Sequence, residues 1–282
     1  MPTPPRRIDA HHHLWRYDAQ EYAWITDEMA AIRRNFLPGD LRDALGAARV
    51  DAAIAVQARQ TLEETEWLLD CAHEATQIAA VVGWLPIAAD NFSFFLDEVC
   101  SPKLAGVRHI VQAEPDGFLD DPGFNRGIAQ LAARGLTYDV LIYERQLQEA
   151  IHLADRHPWQ PFVLDHAAKP RIATGELEPW TAKMRELAQR PNICCKLSGL
   201  VTEANWSAWN LETLRPYLDV CVEAFGTDRL MAGSDWPVCL VAASYAGWWA
   251  VLEEYFSAFS ANEKEKIFGA NAAAFYHLSA AR

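Results

Sequence analysis

The chain has 282 residues, of which 51% are hydrophobic and 22% charged, a composition typical of globular proteins. The net charge of −13 argues against a nucleic-acid partner, because a phosphate backbone requires a basic protein face. The amino terminus lacks a signal-peptide core, no apolar run reaches membrane-spanning length, and the six cysteines show no CxxC spacing. We therefore expect a reduced, cytoplasmic protein that binds neither membranes nor nucleic acid.

The first strand-like stretch, residues 8–10, runs directly into three consecutive histidines. In a β-strand, period-2 alternation places His11 and His13 on the same side of the chain and His12 on the other. Two imidazoles placed in this way can share one divalent metal ion. Taken alone, three histidines near an amino terminus also match the remnant of an affinity tag.

Strand-like and helix-like stretches then alternate along the whole chain. An aromatic-rich loop over residues 15–38 is longer than a simple connection needs, which indicates a functional role. The predicted strands cover residues 8–10, 52–56, 79–85, 104–110, 137–143, 161–165, 192–197 and 230–233. The predicted helices cover residues 40–49, 62–76, 92–99, 122–134, 145–156, 178–189, 211–225, 245–259 and 262–278.

Eight short apolar runs that alternate with helices imply parallel strands joined by helical crossovers. Eight such units in a chain of 282 residues predict a closed (β/α)8 TIM-like barrel, a single domain over residues 1–282. An open, doubly wound sheet is the alternative. It is disfavoured because no glycine-rich phosphate loop follows the first strand.

Polar residues occur at the carboxyl ends of the predicted strands, where barrel enzymes place their active sites. They are His11, His13, Arg108, His109, Asp165, His166, Lys196 and Asp235. Within this set, His11, His13, His166 and Asp235 offer the nitrogen and oxygen ligands of a catalytic zinc site. A lone aspartate at a strand end more often caps the next helix, so the prediction depends on the joint placement.

The residue types predict a hydrolytic reaction. A bound metal ion lowers the pKa of water, and Asp235 can take the water proton and pass it to the leaving group. Arg108, His109 and Lys196 can supply positive charge or hydrogen bonds to a developing oxyanion. We therefore expect hydrolysis of an ester, lactone or amide without a covalent nucleophile, since no GxSxG elbow is present.

Other side chains are candidates for the wall of the pocket. Trp15, Tyr22, Trp24 and Trp236 have aromatic faces that can stack on a sugar ring, although each also suits packing in the core. Lys169 has two interpretations: a contact to the substrate, or a partner for a nearby carboxylate.

Five segments together resemble the amidohydrolase superfamily. They are His11-x-His13-Leu-Trp15, Gly106-Val-Arg108-His109, Asp165-His166-Ala-Ala-Lys169-Pro170, Cys195-Lys196-Leu-Ser-Gly199 and Gly233-Ser-Asp235-Trp236-Pro237. The most similar branch holds sugar-lactone hydrolases such as L-fuconolactonase and L-rhamnonolactonase. The resemblance implies a distorted (β/α)8 barrel with His11, His13, His166 and Asp235 around the site.

The chain departs from that branch at two places. His12 stands where the group often has glutamine, and Ala167-Ala168 replace a Leu-Gly pair. Both departures leave the candidate ligands in place. The resemblance implies one divalent metal ion, with zinc preferred. The alternative is a metal-free site, because some relatives work without a metal. In that case the histidines would hydrogen-bond the substrate directly.

The leading functional prediction is a hydrolase that opens a neutral sugar lactone of the L-fucono type. The first alternative is a carboxylated, muconolactone-type substrate, which needs extra cations such as Arg59 or Arg145. The second is a metal-dependent decarboxylase of the same superfamily, and the third is an inactive barrel that serves as a binding module. The oligomeric state is open, and a homo-oligomer is compatible with the sequence.

Overall fold

The computed structural model describes residues 7–278, and its centre is a sheet of eight parallel strands in sequential order. Almost all strand residues are buried, as expected for a parallel sheet that is covered by helices. The strands are β1 Ile8–His12, β2 Ala52–Val56, β3 Ile78–Gly83, β4 Leu104–His109, β5 Thr137–Val140, β6 Phe162–Leu164, β7 Ile193–Leu197 and β8 Leu230–Ala232.

Helices connect the strands and cover the outer face of the sheet. Several begin at a side-chain cap: Thr61, Asp121 and Asn210 each accept a hydrogen bond from the backbone N–H three residues later. The helices are α1 Pro38–Ala48, α2 Leu62–Glu74, α3 Phe92–Glu98, α4 Pro122–Leu131, α5 Leu147–Arg156, α6 Trp180–Leu187, α7 Leu211–Phe225, α8 Tyr245–Tyr255, α9 Ala261–Glu265 and α10 Asn271–Phe275. Within residues 7–278, none of them combines the length and apolar character that a membrane span requires.

All eight predicted strands are present, which confirms the predicted barrel, although some bounds differ. The strand predicted over residues 137–143 ends at Val140, because the chain then leaves the sheet and Leu141 O accepts a hydrogen bond from Gln112 N at 3.0 Å. The helix predicted over residues 262–278 is interrupted by a π-helical turn, Lys266–Ala270.

The barrel closes where β1 meets β8, and this closure excludes the open doubly wound sheet. Asp235 N donates to His11 O at 2.8 Å, and His13 N donates to Trp236 O at 2.6 Å. The buried carboxylate of Asp9 accepts a further hydrogen bond from the segment after β8, from a backbone N–H at 2.8 Å. These bonds bring the two histidines of the first strand beside the aspartate that follows the last strand.

A bulge in β1 decides which way His11 points. Between Asp9 and His12, β1 has one more residue than β2, so Ala10 and His11 together lie opposite Ile54. An extra residue of this kind re-aims the side chains that follow it. As a result, Asp9 faces α8 while His11 faces the interior of the barrel.

The lower half of the barrel interior is a small apolar core that the carboxyl-terminal segment seals from below. Ala272 and Tyr276 pack there against strand residues. Those strand residues are Ile8, Ala10, Ile54, Val56, Ala80, Val82, Val163 and Met231. The Tyr276 hydroxyl also reaches upward and donates to Asp139 Oδ2 at 2.8 Å. The polar residues at the top of the barrel therefore rest on a closed apolar base.

Candidate active site

A pocket of about 300 Å³ opens at the carboxyl end of the barrel. Its lining includes His13, Arg108, His166 and Asp235, which the sequence placed at four different strand ends. A larger groove of about 590 Å³, beside Arg7 at the opposite end of the barrel, contains none of these residues. The smaller pocket contains the predicted polar residues and is therefore the candidate active site.

Ligand-type atoms converge at the floor of this pocket. His11 Nε2 and His13 Nε2 are 3.2 Å apart, and His13 Nε2 lies 3.3 Å from Asp235 Oδ1. His11 Nε2 and His166 Nε2 each lie 3.9 Å from the same carboxylate oxygen. Ligand atoms that share one tetrahedral zinc ion lie about 3.4 Å apart. The observed spacing is therefore compatible with a single shared ion.

The hydrogen bonds of His13 also favour a cation at this point. His13 Nδ1 lies 2.8 Å from the carbonyl oxygen of Val56, which can only accept, so Nδ1 carries the proton. His13 Nε2 is then the nitrogen that faces the carboxylate of Asp235, at 3.3 Å. Lone pairs that face each other repel unless a proton or a metal ion lies between them. These donor groups thus fit the predicted divalent metal.

His166 reaches the pocket from a backbone segment with an uncommon conformation. Residues 166–169 all have φ between +49° and +59°, the left-handed region that side chains other than glycine rarely adopt. His166 Nδ1 lies 2.9 Å from Ser198 Oγ, and a Cβ atom added at Gly199 would lie 2.6 Å from the same nitrogen. The strained turn and this glycine together present His166 and Lys169 to the pocket.

A buried ion-pair network lies directly beneath His11. Lys196 Nζ is 2.5 Å from Asp139 Oδ2 and 2.9 Å from Asp165 Oδ1, and Arg108 Nη1 is 2.9 Å from Asp165 Oδ2. Burial would raise the pKa of Asp165, but Lys196, His11 and Arg108 outweigh it and hold that pKa well below its ordinary value. The charges of two cations and two carboxylates therefore neutralise one another, which avoids the large energetic cost of an unpaired buried charge.

Two residues predicted to polarise the substrate carbonyl do not reach the pocket, and for them the prediction is wrong. Lys196 is completely buried, and its ammonium lies 3.3 Å from His11 Nδ1, so it acts on a candidate ligand. His109 lies on the opposite face of β4 from Arg108, because neighbouring side chains of a strand point to opposite faces. It stacks on a phenylalanine ring and hydrogen-bonds Glu114 at 2.8 Å.

The candidate aromatic residues also divide into two groups. Trp24 lines the pocket and keeps 41% of its surface exposed. Trp15 is fully buried and donates from its indole N–H to Arg34 O at 2.9 Å, and Trp236 is 97% buried against the ring of Phe36. The predicted substrate contacts of Trp15 and Trp236 are therefore corrected to packing behind the pocket.

Sequence reasoning missed two polar residues of the pocket lining, Gln60 and Gln112. Both follow strand ends, β2 and β4, so the rule that located the other residues could have selected them. They were missed because an uncharged amide does not stand out in a sequence. Lys169 lies 3.7 Å from Glu203 Oε1, which is the predicted carboxylate partner, and it also lines the pocket, where a contact to the substrate stays a prediction.

Comparison with known proteins assigns the family. The profile of the family described as Amidohydrolase matches residues 8–278. The chain belongs to the amidohydrolase family. This amidohydrolase is 44% identical to L-fucono-1,5-lactonase from Burkholderia multivorans and 37% identical to L-fucono-1,5-lactonase from Burkholderia ambifaria. Both alignments cover 96% of this chain and 96% of the relative.

The amidohydrolase is also similar to a solved structure over its whole length. A crystal structure of an amidohydrolase from Burkholderia multivorans with bound zinc matches it with a TM-score of 0.94 and 44% identity. The match covers 97% of this chain and 99% of that chain. The fold and the family resemblance predicted from the sequence are both confirmed.

Proposed function

We propose that this amidohydrolase opens a neutral sugar lactone of the L-fucono-1,5-lactone class with the help of one divalent metal ion, zinc. The proposal is carried by the convergence of His11, His13, His166 and Asp235 at the floor of a pocket. Two further findings support it: the 44% identity to a protein named L-fucono-1,5-lactonase and the bound zinc of the similar crystal structure.

Asp235 is the proton acceptor in this proposal. Burial would raise its pKa, but His166, His13 and His11 outweigh burial and lower the pKa below its ordinary range, so the carboxylate is ionised at neutral pH. Zinc held by the three histidines and Asp235 supplies Lewis acidity, which favours the ionisation of water and the polarisation of a carbonyl group.

The atoms of the reaction balance without a further reactant. The water oxygen attacks the lactone carbonyl carbon, and Asp235 takes the water proton. The bond between that carbon and the ring oxygen breaks, and Asp235 returns the proton to the ring oxygen. Arg108, which lines the pocket, donates to the carbonyl oxygen as negative charge develops there. The product is a hydroxy acid, which releases a proton at neutral pH.

Trp24 is the proposed sugar-binding surface. Its indole is exposed at the wall of a pocket of about 300 Å³, a volume that suits a single sugar ring. The apolar face of such a ring can stack on an aromatic side chain. Lys169, which also lines the pocket, is the proposed partner for a substrate hydroxyl group.

The charges of the pocket favour this neutral substrate over the carboxylated alternatives. A muconolactone-type lactone, or the acid substrate of a decarboxylase, brings a carboxylate that needs a cation in a buried site. Arg108 and Lys169 are the cationic side chains that line the pocket, and both already face acidic side chains, at 2.9 Å and 3.7 Å. Arg59 and Arg145, the further candidates from the sequence, are also paired with carboxylates.

A lactonase assay tests the proposal. Purified protein is mixed with L-fucono-1,5-lactone, other aldonolactones and a muconolactone, a pH indicator reports the released proton, and elemental analysis measures zinc. We expect turnover of neutral lactones by a zinc-containing protein. The variant Asp235→Asn should lose about 10²–10⁴-fold in kcat, the usual contribution of a positioned acid or base, while its circular dichroism stays unchanged.

The matched control is Asp43→Asn, the same substitution on the exposed face of α1, which should keep full activity. Two results would contradict the proposal. One is wild-type turnover by Asp235→Asn, and the other is turnover of carboxylated substrates alone.

A further inference from the structure

Gln60 lines the pocket, but the proposed chemistry gives it no role. Its side-chain oxygen accepts a hydrogen bond from Ile110 N at 2.7 Å. That bond identifies which end of the amide is the oxygen. If the oxygen and nitrogen were exchanged, the amide N–H would face the N–H of Ile110. Among residues 7–278, the amide nitrogen Nε2 of Gln60 has no hydrogen-bond partner. Gln60 therefore offers the pocket a free amide donor.

The backbone that leads to Gln60 is held in place as well. The buried carboxylate of Glu64 accepts hydrogen bonds from the backbone N–H groups of Ala58 at 3.0 Å and Arg59 at 2.6 Å. Tyr22, from the loop that carries Trp24, donates to the same carboxylate at 3.3 Å. The donor is thus preorganised, and binding through it requires little additional ordering of the protein.

The chemistry around Gln60 indicates which substrate atom it meets. An amide N–H donates to any oxygen with a free lone pair, and the two cationic side chains that line this pocket, Arg108 and Lys169, already face carboxylates. The carbonyl carbon must lie near Asp235, which is the proposed proton acceptor. An oxygen that meets a separate wall residue therefore belongs to a ring substituent, and in a neutral aldonolactone these substituents are hydroxyl groups.

We propose that Gln60 is a specificity-determining residue that donates a hydrogen bond to one ring hydroxyl oxygen of the lactone. This inference rests on the proposed function and deepens it, because it assigns recognition of the hydroxyl pattern to a named group. One neutral hydrogen bond in a buried site changes an affinity by up to about tenfold.

The test combines an isosteric variant with deoxy substrates. Gln60→Glu keeps an acceptor for Ile110 N–H but replaces the free donor with a carboxylate. We expect KM for the hydroxylated lactone to rise about tenfold, with kcat nearly unchanged. Wild-type protein should discriminate about tenfold against one of the single-deoxy lactones, and Gln60→Glu should lose that discrimination. Gln60→Met, which removes the donor without adding charge, should lose it too.

Gln130→Glu, the same charge change at a half-buried position of α4 outside the pocket, is the control and should behave as the wild type. Discrimination between hydroxylated and deoxy lactones that survives in both Gln60 variants would overturn the inference. A failure of the proposed function itself would give a different result, because the wild-type protein would then open none of the neutral lactones.

Discussion

Lys196→Met tests whether the buried ammonium supports the site from below. Lys196 Nζ lies 2.5 Å from Asp139 Oδ2 and 2.9 Å from Asp165 Oδ1, and all three side chains are fully buried. Methionine keeps most of the volume but leaves Asp139 with the hydroxyl of Tyr276 as its hydrogen-bond donor. Removing one partner of a buried ion pair costs about 3–5 kcal/mol. We expect the free energy of unfolding to fall by that amount.

Urea unfolding followed by tryptophan fluorescence measures the loss. The double variant Lys196→Met, Asp139→Asn also removes the unpaired charge of Asp139, so it should be more stable than Lys196→Met alone by about 1 kcal/mol or more. Lys264→Met, near the protein surface, should change stability by less than about 0.5 kcal/mol. A Lys196→Met protein with wild-type stability and only a raised KM would refute the reasoning, because that is how a direct substrate contact behaves.

Two further predictions concern Gly199, which packs against His166, and the buried carboxyl group of Glu64. Gly199→Ala should displace His166 and remove bound zinc, since the new Cβ would lie 2.6 Å from the imidazole, whereas Gly135→Ala, at φ +69° with open space around it, should keep zinc at a cost of about 1–2 kcal/mol. Equal zinc contents by elemental analysis would contradict this. Burial raises the pKa of Glu64 from 4.5 to about 7, so the folded state favours the protonated form and stability falls as the pH rises through that interval. The loss is at most about 3 kcal/mol, and Glu64→Gln should remove it in urea titrations across that range; an unchanged slope would contradict burial as its cause.

The barrel and the core of the site were predictable from the order of residues along the chain. In a parallel barrel all carboxyl strand ends meet at one rim, so a polar residue that follows an apolar run must lie near that rim. This rule needs only the strand positions. It located His13, Arg108, His166 and Asp235, which the structure brings to one pocket.

The depth and direction of individual side chains were not predictable in this way. His109 adjoins Arg108 in sequence but lies on the other face of β4, and Lys196 lies near the carboxyl end of β7 as predicted but stays beneath His11. Gln60 carries no charge that would single it out, yet a hydrogen bond from Ile110 N, just after β4, holds its side-chain oxygen and leaves its amide nitrogen free to donate.

His11 and His13 show most clearly what the sequence determines and what only the tertiary structure decides. The sequence by itself determined that His11 and His13 lie at the carboxyl end of the first strand, and therefore near the rim. Only the tertiary structure decided that His11 faces inward, because that depends on the bulge in the pairing of β1 with β2. It also depends on the closure of β1 against the segment after β8, more than two hundred residues away, which brings Asp235 beside both rings. Strand registers and closures of this kind are set by packing among distant segments, and no local sequence pattern contains them.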